Sequence, residues 1–319
     1  MYVYENSGGS ISTSFAQRFL FACNVQSSGN FTNDNVEDVS VLRNDSIFIF
    51  KGLGNSRLDS VPAFKMGGAS GNYLKILFAQ VNSKIEPYAT LEGTTSNKDE
   101  IIMKQGSSII IFNNNNANGI SSNTHINGFF LDFDFKIADV NNDGYNDLVT
   151  TSIDQGIKIY LNNEGSIDTN VDYANNRTFS NPLSIDVADF NKDGWNDIAA
   201  ATLDTIKIYL NTHSSDLFSQ SVSYSKLYAS DLYPLFGKKL IVADLHNKGG
   251  LSLVFSGYTA VDFETSPYPS NLEWMYRFNP DTLDAVPAPA YIFESNVQEN
   301  DSIYHPQLLL FNRGDRDFM

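Results

Sequence analysis

Cysteine is almost missing from this chain. Cys23 is the single one in 319 residues, so no internal disulfide can form and the compartment cannot be read from cysteine pairing. Basic residues are scarce too. Twenty-one Lys and Arg face 37 Asp and Glu, a net charge of −16, which removes the basic footprint that nucleic-acid binding requires. No apolar run nears the ~20 residues of a membrane-spanning helix. The run before Cys23, Phe19-Leu-Phe-Ala22, is too short for the hydrophobic stretch of a signal sequence. Helical periodicity, a Gly-x-Ser-x-Gly elbow, a His-Glu-x-x-His pair and a phosphate-cradling glycine loop are all lacking. The four histidines are scattered at 125, 213, 246 and 305. With 42% hydrophobic and 13% aromatic residues, the chain still has ample material for a folded core.

What the chain does have is one acidic loop written twice, fifty positions apart. The first copy is Asp139-Val-Asn141-Asn-Asp143-Gly-Tyr145-Asn-Asp147 and the second is Asp189-Phe-Asn191-Lys-Asp193-Gly-Trp195-Asn-Asp197. Each copy lies between two short apolar runs and is followed by a near-identical segment, Ile157-Lys-Ile-Tyr-Leu-Asn162 or Ile206-Lys-Ile-Tyr-Leu-Asn211. The alternation in those segments predicts half-buried strands, and Asn162-Asn-Glu-Gly165 predicts a turn.

Weaker copies keep the same order. Leu240-Ile-Val-Ala-Asp244 leads into a loop in which Ser252 replaces the last aspartate. Upstream, Leu77-Phe-Ala-Gln80 and Glu100 to Asn113 match the flanks of a loop interrupted by residues 83–99. Phe21-Ala-Cys23 pairs with Asp38-Val-Ser-Val and Ser46 to Gly52. These matches place the loop starts at 23, 80, 139, 189 and 244. Residues 1–6 resemble a third strand and residues 308–319 a leading strand plus loop. Five units and a sixth split between the ends are expected. Four-stranded units of about fifty residues predict an all-β fold, a β-propeller of about six to seven blades in a single domain over 1–319.

The loop chemistry points to calcium. This hard cation takes six to eight oxygens, and Asp or Asn at alternate loop positions can supply them. The expected ligands are Asp139, Asn141, Asp143, the Tyr145 carbonyl and Asp147, with Asp189, Asn191, Asp193, the Trp195 carbonyl and Asp197 forming a second site. An EF-hand is excluded, because its twelfth position must be Glu and is Thr150 or Ala200 here. An Asp/Asn/Gly turn without metal explains one copy but not two at one phase. Such sites bind with dissociation constants near ~10⁻⁴ M and are empty at resting cytosolic calcium. An extracellular or cell-surface setting is therefore expected.

At these residues the chain resembles the FG-GAP/VCBS repeat family, whose propeller repeats also build integrin α-subunit heads. The resemblance implies blades whose Asp-x-Asn-x-Asp-Gly-x-x-Asp loop joins the two inner strands and holds calcium. Function stays open among three readings, since propellers host many activities. The first is a non-catalytic adhesion or recognition module for glycan or protein ligands, drawing on tyrosines 173, 224, 228, 233, 258 and 268 between the units. The second is a carbohydrate-active enzyme, a polysaccharide lyase or hydrolase. The third is a scaffold segment of a larger secreted protein. Arg313-Gly314-Asp315 reads as a decayed copy of the loop rather than an adhesion motif.

Overall fold

A computed structural model of the protein describes residues 2–7, 10–20, 24–34, 36–43, 46–54, 56–67, 75–79, 81, 99–115, 119–129, 133–152, 156–170, 173–175, 182, 184–202, 205–218, 224–227, 239–243, 251–259, 270–278 and 285–286. Among them there is no helix. The chain opens with a hairpin of β1 (Tyr2–Ser7) and β2 (Ser10–Arg18). Next come β3 (Asn24–Gly29), β4 (Asp38–Arg43), β5 (Ser46–Gly54) and β6 (Arg57–Gly67), then β7 (Lys75–Ala79), β8 (Glu100–Gln105), β9 (Ser108–Asn115) and β10 (Gly119–Asn127). The third group is β11 (Phe133–Ala138), β12 (Asp147–Ser152) and β13 (Gly156–Tyr160), a two-residue ribbon of β14 (Asn162–Asn163) and β15 (Ser166–Ile167), and β16 (Tyr173–Asn175). The last two groups are β17 (Ser184–Ala188), β18 (Asp197–Ala201), β19 (Thr205–Tyr209) and β20 (Tyr224–Leu227), then β21 (Lys239–Ala243), β22 (Ser252–Thr259), β23 (Ser270–Phe278) and β24 (Ala285–Val286).

Each group is one four-stranded antiparallel sheet paired in chain order. The strand order expected from the repeat is therefore present, including the outer fourth strand. Tyr173 and Tyr224 fall on those outer strands at matching register, opposite Ile159 and Ile208. The expected turn is the tip of the β14–β15 ribbon, with Glu164 and Gly165 at φ 51° and 97°. The segment 83–98, the loop after Asp244 and residues 308–319 lie outside the described residues, as does the Arg313-Gly-Asp motif.

One loop start needs correcting. Gly29 pairs with Asp38 just as Ala138 pairs with Asp147 and Ala188 with Asp197. The first loop therefore starts at Asn30, not at Cys23. The apolar Phe21-Ala22 drew the expectation too far upstream. The leading strand here is Asn24-Val-Gln-Ser-Ser-Gly29, too polar to stand out.

The core lies between sheets. Val3 and Phe19 of the hairpin region meet Val39, Val41 and Phe50 of the next sheet. Ile47 and Ile49 meet Ile76, Ile101 and Met103. Ile102, Ile109 and Ile126 meet Phe135, Leu148 and Tyr160. Val149 and Ile159 meet Ile185, Ile198, Ala200 and Tyr209. The sheets β3–β6, β7–β10 and β11–β16 are thus each covered on both faces by their chain neighbours. Second strands are accordingly buried along most of their length: residues 38–41 of β4, 100–104 of β8 and all five residues of β18 are buried.

Polar side chains bind the inner edges together. Ser27 Oγ accepts the Phe78 N–H at 3.2 Å, and Asp134 Oδ2 accepts the Ile185 N–H at 3.1 Å. Ser184 Oγ and Asp186 Oδ2 accept the N–H groups of Leu240 and Val242 at 2.9 and 2.7 Å. The leading strands β7, β17 and β21 thus have edge donors satisfied by the sheet before them. Lys136 pairs with Asp186 at 2.8 Å, and Lys75 bonds Asp134. Burial alone would raise the Asp134 carboxyl, but the ammonium groups of Lys75 and Lys136 and the Ile185 N–H outweigh it and hold it well below its ordinary value. At Gly29 two sheets come close together. A Cβ there would stand 2.4 Å from Asp99 Oδ2 and 2.5 Å from Phe78 Cβ, so no side chain fits.

A second latch recurs at the end of the third strand. Asn114 Nδ2 donates to the carbonyls of Phe31 and Asp99 at 2.9 and 3.0 Å. Asn162 Nδ2 donates to Val81 and Asn146, both at 2.8 Å. Asn211 Nδ2 donates to Val140 and Asn196 at 2.8 and 3.1 Å. Each amide ties its own loop to the loop of the preceding sheet. Replacing Asn162 with Ala removes both bonds and strands two carbonyls, at a cost on the order of 2 kcal/mol; Asn162→Asp, which sets a carboxylate against the same carbonyls, should cost more. Urea unfolding of the three proteins orders them.

Asp99 supplies a pH signature. It accepts the Asn30 N–H at 2.6 Å, and burial, reinforced by the neighbouring charges of Glu100, Glu37 and Asp38, pushes its carboxyl up to about 7. The folded state therefore holds this proton more tightly than the unfolded chain, whose carboxyls titrate near ~4. Its contribution is present at low pH and is lost as pH rises from about 4 through about 7. Asp99→Asn keeps the acceptor and removes the charge, so the variant should lose less stability than the parent across that window. Equal slopes of stability against pH would contradict this.

Candidate cation-binding loops

Each loop runs from the last residue of a leading strand to the first of the second strand. The backbone can wrap because two residues are left-handed: Asn142 and Gly144 at φ 58° and 89° in the first loop, Lys192 and Gly194 at 60° and 87° in the second. Glycine at the second of these positions removes the Cβ penalty where the turn is sharpest.

Most hydrogen bonds of the two loops correspond; they part at the first aspartate, where Asp189 Oδ1 accepts the Asp193 N–H at 3.0 Å and Asp139 Oδ1 has no partner. The N–H of Gly144 or Gly194 donates to Oδ2 of Asp139 or Asp189, at 2.8 Å in both. The N–H of Asp143 or Asp193 donates to the amide oxygen of Asn141 or Asn191, at 3.1 Å in both. The N–H of Tyr145 or Trp195 donates to Oδ1 of Asp143 or Asp193, at 2.8 and 2.9 Å. Asn141 Nδ2 and Asn191 Nδ2 reach the outer oxygens of Asp143 and Asp193 at 2.9 and 2.7 Å.

The last aspartate has a different task. Asp147 is fully buried and accepts the N–H groups of Val140 and Asn162 at 2.9 and 2.8 Å. Asp197 does the same for Phe190 and Asn211. Its carboxylate ties the loop to the strand end beyond. Asp38 takes the N–H groups of Thr32 and Gly52, and Glu100 takes that of Val81, so this clamp recurs in units without the full acidic set. The repeat alone gave no sign of this role. The recurrence of an acid at the start of four of the five second strands was the available signal.

Electrostatically the loops are under load. Burial first, then the charges of Asp139 and Asp143, push the Asp147 carboxyl up to about 7. Burial, then Asp193 and Asp189, push Asp197 up to about 6. Asp139 is raised by burial and by Asp143. Asp139 Oδ1 is buried without a hydrogen-bond partner, which no other side-chain oxygen or nitrogen among the described residues is. A divalent cation fits this donor chemistry: oxygen atoms throughout, an orphaned carboxylate oxygen, and crowded negative charge. The fit has a limit. Among the described residues no three His, Cys, Asp or Glu side chains converge as one metal-holding group. Asp147 and Asp197 sit beneath their loops on the clamp, leaving two carboxylates, one amide and one carbonyl in each upper set.

The second loop also has a partner that sequence alone did not reveal. His213 Nε2 lies 2.8 Å from Asp193 Oδ2, and its ring stacks on Trp195 with centroids 4.9 Å apart. Of the other histidines, His125 lies on β10, and His246 and His305 lie outside the described residues.

Comparison with known proteins agrees with this geometry. No curated protein matches the chain. Its fold is similar to a solved structure described as the structural basis of specific recognition of non-reducing terminal N-acetylglucosamine by an Agrocybe aegerita lectin. The two share 14% identity over 86% of this chain and 79% of that one, with a TM-score of 0.50, so the likeness speaks for the fold alone. Residues 139–200, which hold both loops, match the family model described as FG-GAP-like repeat.

Proposed function

We propose that this chain is a non-catalytic, calcium-binding β-propeller that works outside the cell or at its surface as a recognition module for a glycan. The observation that carries the reading is the pair of matching loops with the orphaned Asp139 Oδ1. Calcium would be held by Asp139, Asn141, Asp143 and the Tyr145 carbonyl above Asp147, and by Asp189, Asn191, Asp193 and the Trp195 carbonyl above Asp197. Bound there, it would supply the positive charge that the crowded carboxylates lack.

The propeller arrangement draws support from the fold. Five consecutive four-stranded meanders, the first four packed face to face in turn and the fifth joined to the fourth at its leading strand, are how blades stack. The glycan is drawn from the likeness to the N-acetylglucosamine-recognising lectin structure. A protein ligand is the competing partner class.

The calcium is structural in this reading. At a concentration ten times the dissociation constant, one site adds about 1.4 kcal/mol of stability. Calcium should raise the melting temperature of the parent chain and leave that of the Asp143→Ala, Asp193→Ala double variant unchanged; a rise that survives both substitutions would remove the ion from these loops. A glycan array presenting terminal N-acetylglucosamine, probed in calcium and in EDTA, should show binding that weakens with EDTA. A blank array from well-folded protein would turn the reading toward a protein ligand.

A further inference from the structure

A third loop has the same build and a different occupant. Asn30-Phe-Thr-Asn-Asp34-Asn-Val-Glu-Asp38 spans the same number of residues as Asp139 to Asp147, in the same register between its two strands. Asn33 is left-handed at φ 61°, as Asn142 is at 58°. The Asp34 N–H donates to Asn30 Oδ1 at 3.1 Å, as the Asp193 N–H does to Asp189 Oδ1 at 3.0 Å. The Val36 N–H donates to Asp34 Oδ1 at 3.0 Å, the counterpart of the Tyr145 and Trp195 contacts. Asp38 is the buried clamp beneath.

The side chains around that backbone have changed. Asn30 and Thr32 stand where the other loops have Asp and Asn, so the loop has lost a carboxylate. Lys51 Nζ lies 2.9 Å from Asp34 Oδ2. Lys51 immediately precedes Gly52, whose N–H meets the clamp just as those of Asn162 and Asn211 do. The residues at its position in the other two sheets are therefore Leu161 and Leu210, which carry no charge. The cation thus comes from the strand that closes over the loop. Burial works to raise the Asp34 carboxyl, but the bond and charge of Lys51 with the Val36 N–H outweigh it and hold it low.

We propose that Lys51 is the resident cation of this third loop, its ammonium group standing where the loops at 139–147 and 189–197 take a divalent ion. The inference rests on the calcium reading of those two loops. An ordinary surface ion pair is the simpler account, since Lys51 is 39% exposed and such pairs contribute little. Removing the lysine separates the two accounts. A spent ion pair leaves a loose aspartate; a vacated cation position leaves a weak oxygen cage that takes up calcium.

The test is equilibrium dialysis with calcium at millimolar concentration on the full chain. The background is Asp143→Ala, Asp193→Ala, with Lys51 retained or changed to Met, or to Gln as a milder variant. The Lys51-containing protein should take up no calcium. Either Lys51 variant should take up about one equivalent and gain calcium-dependent melting stability, both lost on adding Asp34→Asn. Folded Lys51 variants that bind no calcium overturn the proposal, as does calcium uptake at this loop with Lys51 in place. The unsubstituted chain is measured alongside. Failure of that protein to bind calcium counts against the loops at 139 and 189, whereas failure of the Lys51 variants alone counts against the third.

Discussion

Everything in this fold hangs on a buried carboxylate that meets backbone donors from two directions. Asp38, Asp147 and Asp197 each join the N–H of the loop's second or third residue to an N–H near the end of the third strand. Burying an acid is costly, and burial raises all three carboxyls, Asp147 to about 7 and Asp197 to about 6. The cost is accepted because two backbone N–H groups would otherwise be stranded in the interior. The acidic loop is built upon this clamp, and the clamp also serves loops that lack the acidic set.

Joining sheet to sheet is the second constraint. A sheet packed between two others has its faces covered, but its innermost strand still has an open edge. Here that edge is closed by side chains rather than by another strand. Ser27, Asp134, Ser184 and Asp186 each reach one unit forward, while the Asn114, Asn162 and Asn211 amides reach one unit back. The apolar clusters supply non-directional attraction, and these bonds set the order and alignment of the units.

Much of this was legible in the sequence, and the pattern of success has physical causes. The strands around 139–162 and 189–211 could be read because apolar alternation and a turn at Glu164-Gly165 are local signals. The loop at Asn30 was missed because Asn, Thr and a polar leading strand replaced the residues that make the motif visible; only the Gly29–Asp38 register exposes it. Asn162 and Asn211 were in plain view, but they read as a turn residue and a strand end because their partners lie 81 and 71 positions away. The same holds for Asp134 and Asp186, polar residues in alternating strands whose acceptor role depends on a strand some fifty residues on. Sequence reports what a residue does for its own segment and is silent on what it does for the next sheet.

The meander order of the strands carries a kinetic consequence. All-β proteins fold slowly when their strands pair across long stretches of chain. In every four-stranded sheet here the hydrogen-bonded neighbours are successive in the chain apart from the small β14–β15 ribbon, so each sheet closes only local loops. The distant contacts are left to docking of one finished sheet upon another. During synthesis the amino-terminal sheets can therefore form and stack while the rest of the chain is still being made, with each new sheet finding its template already in place.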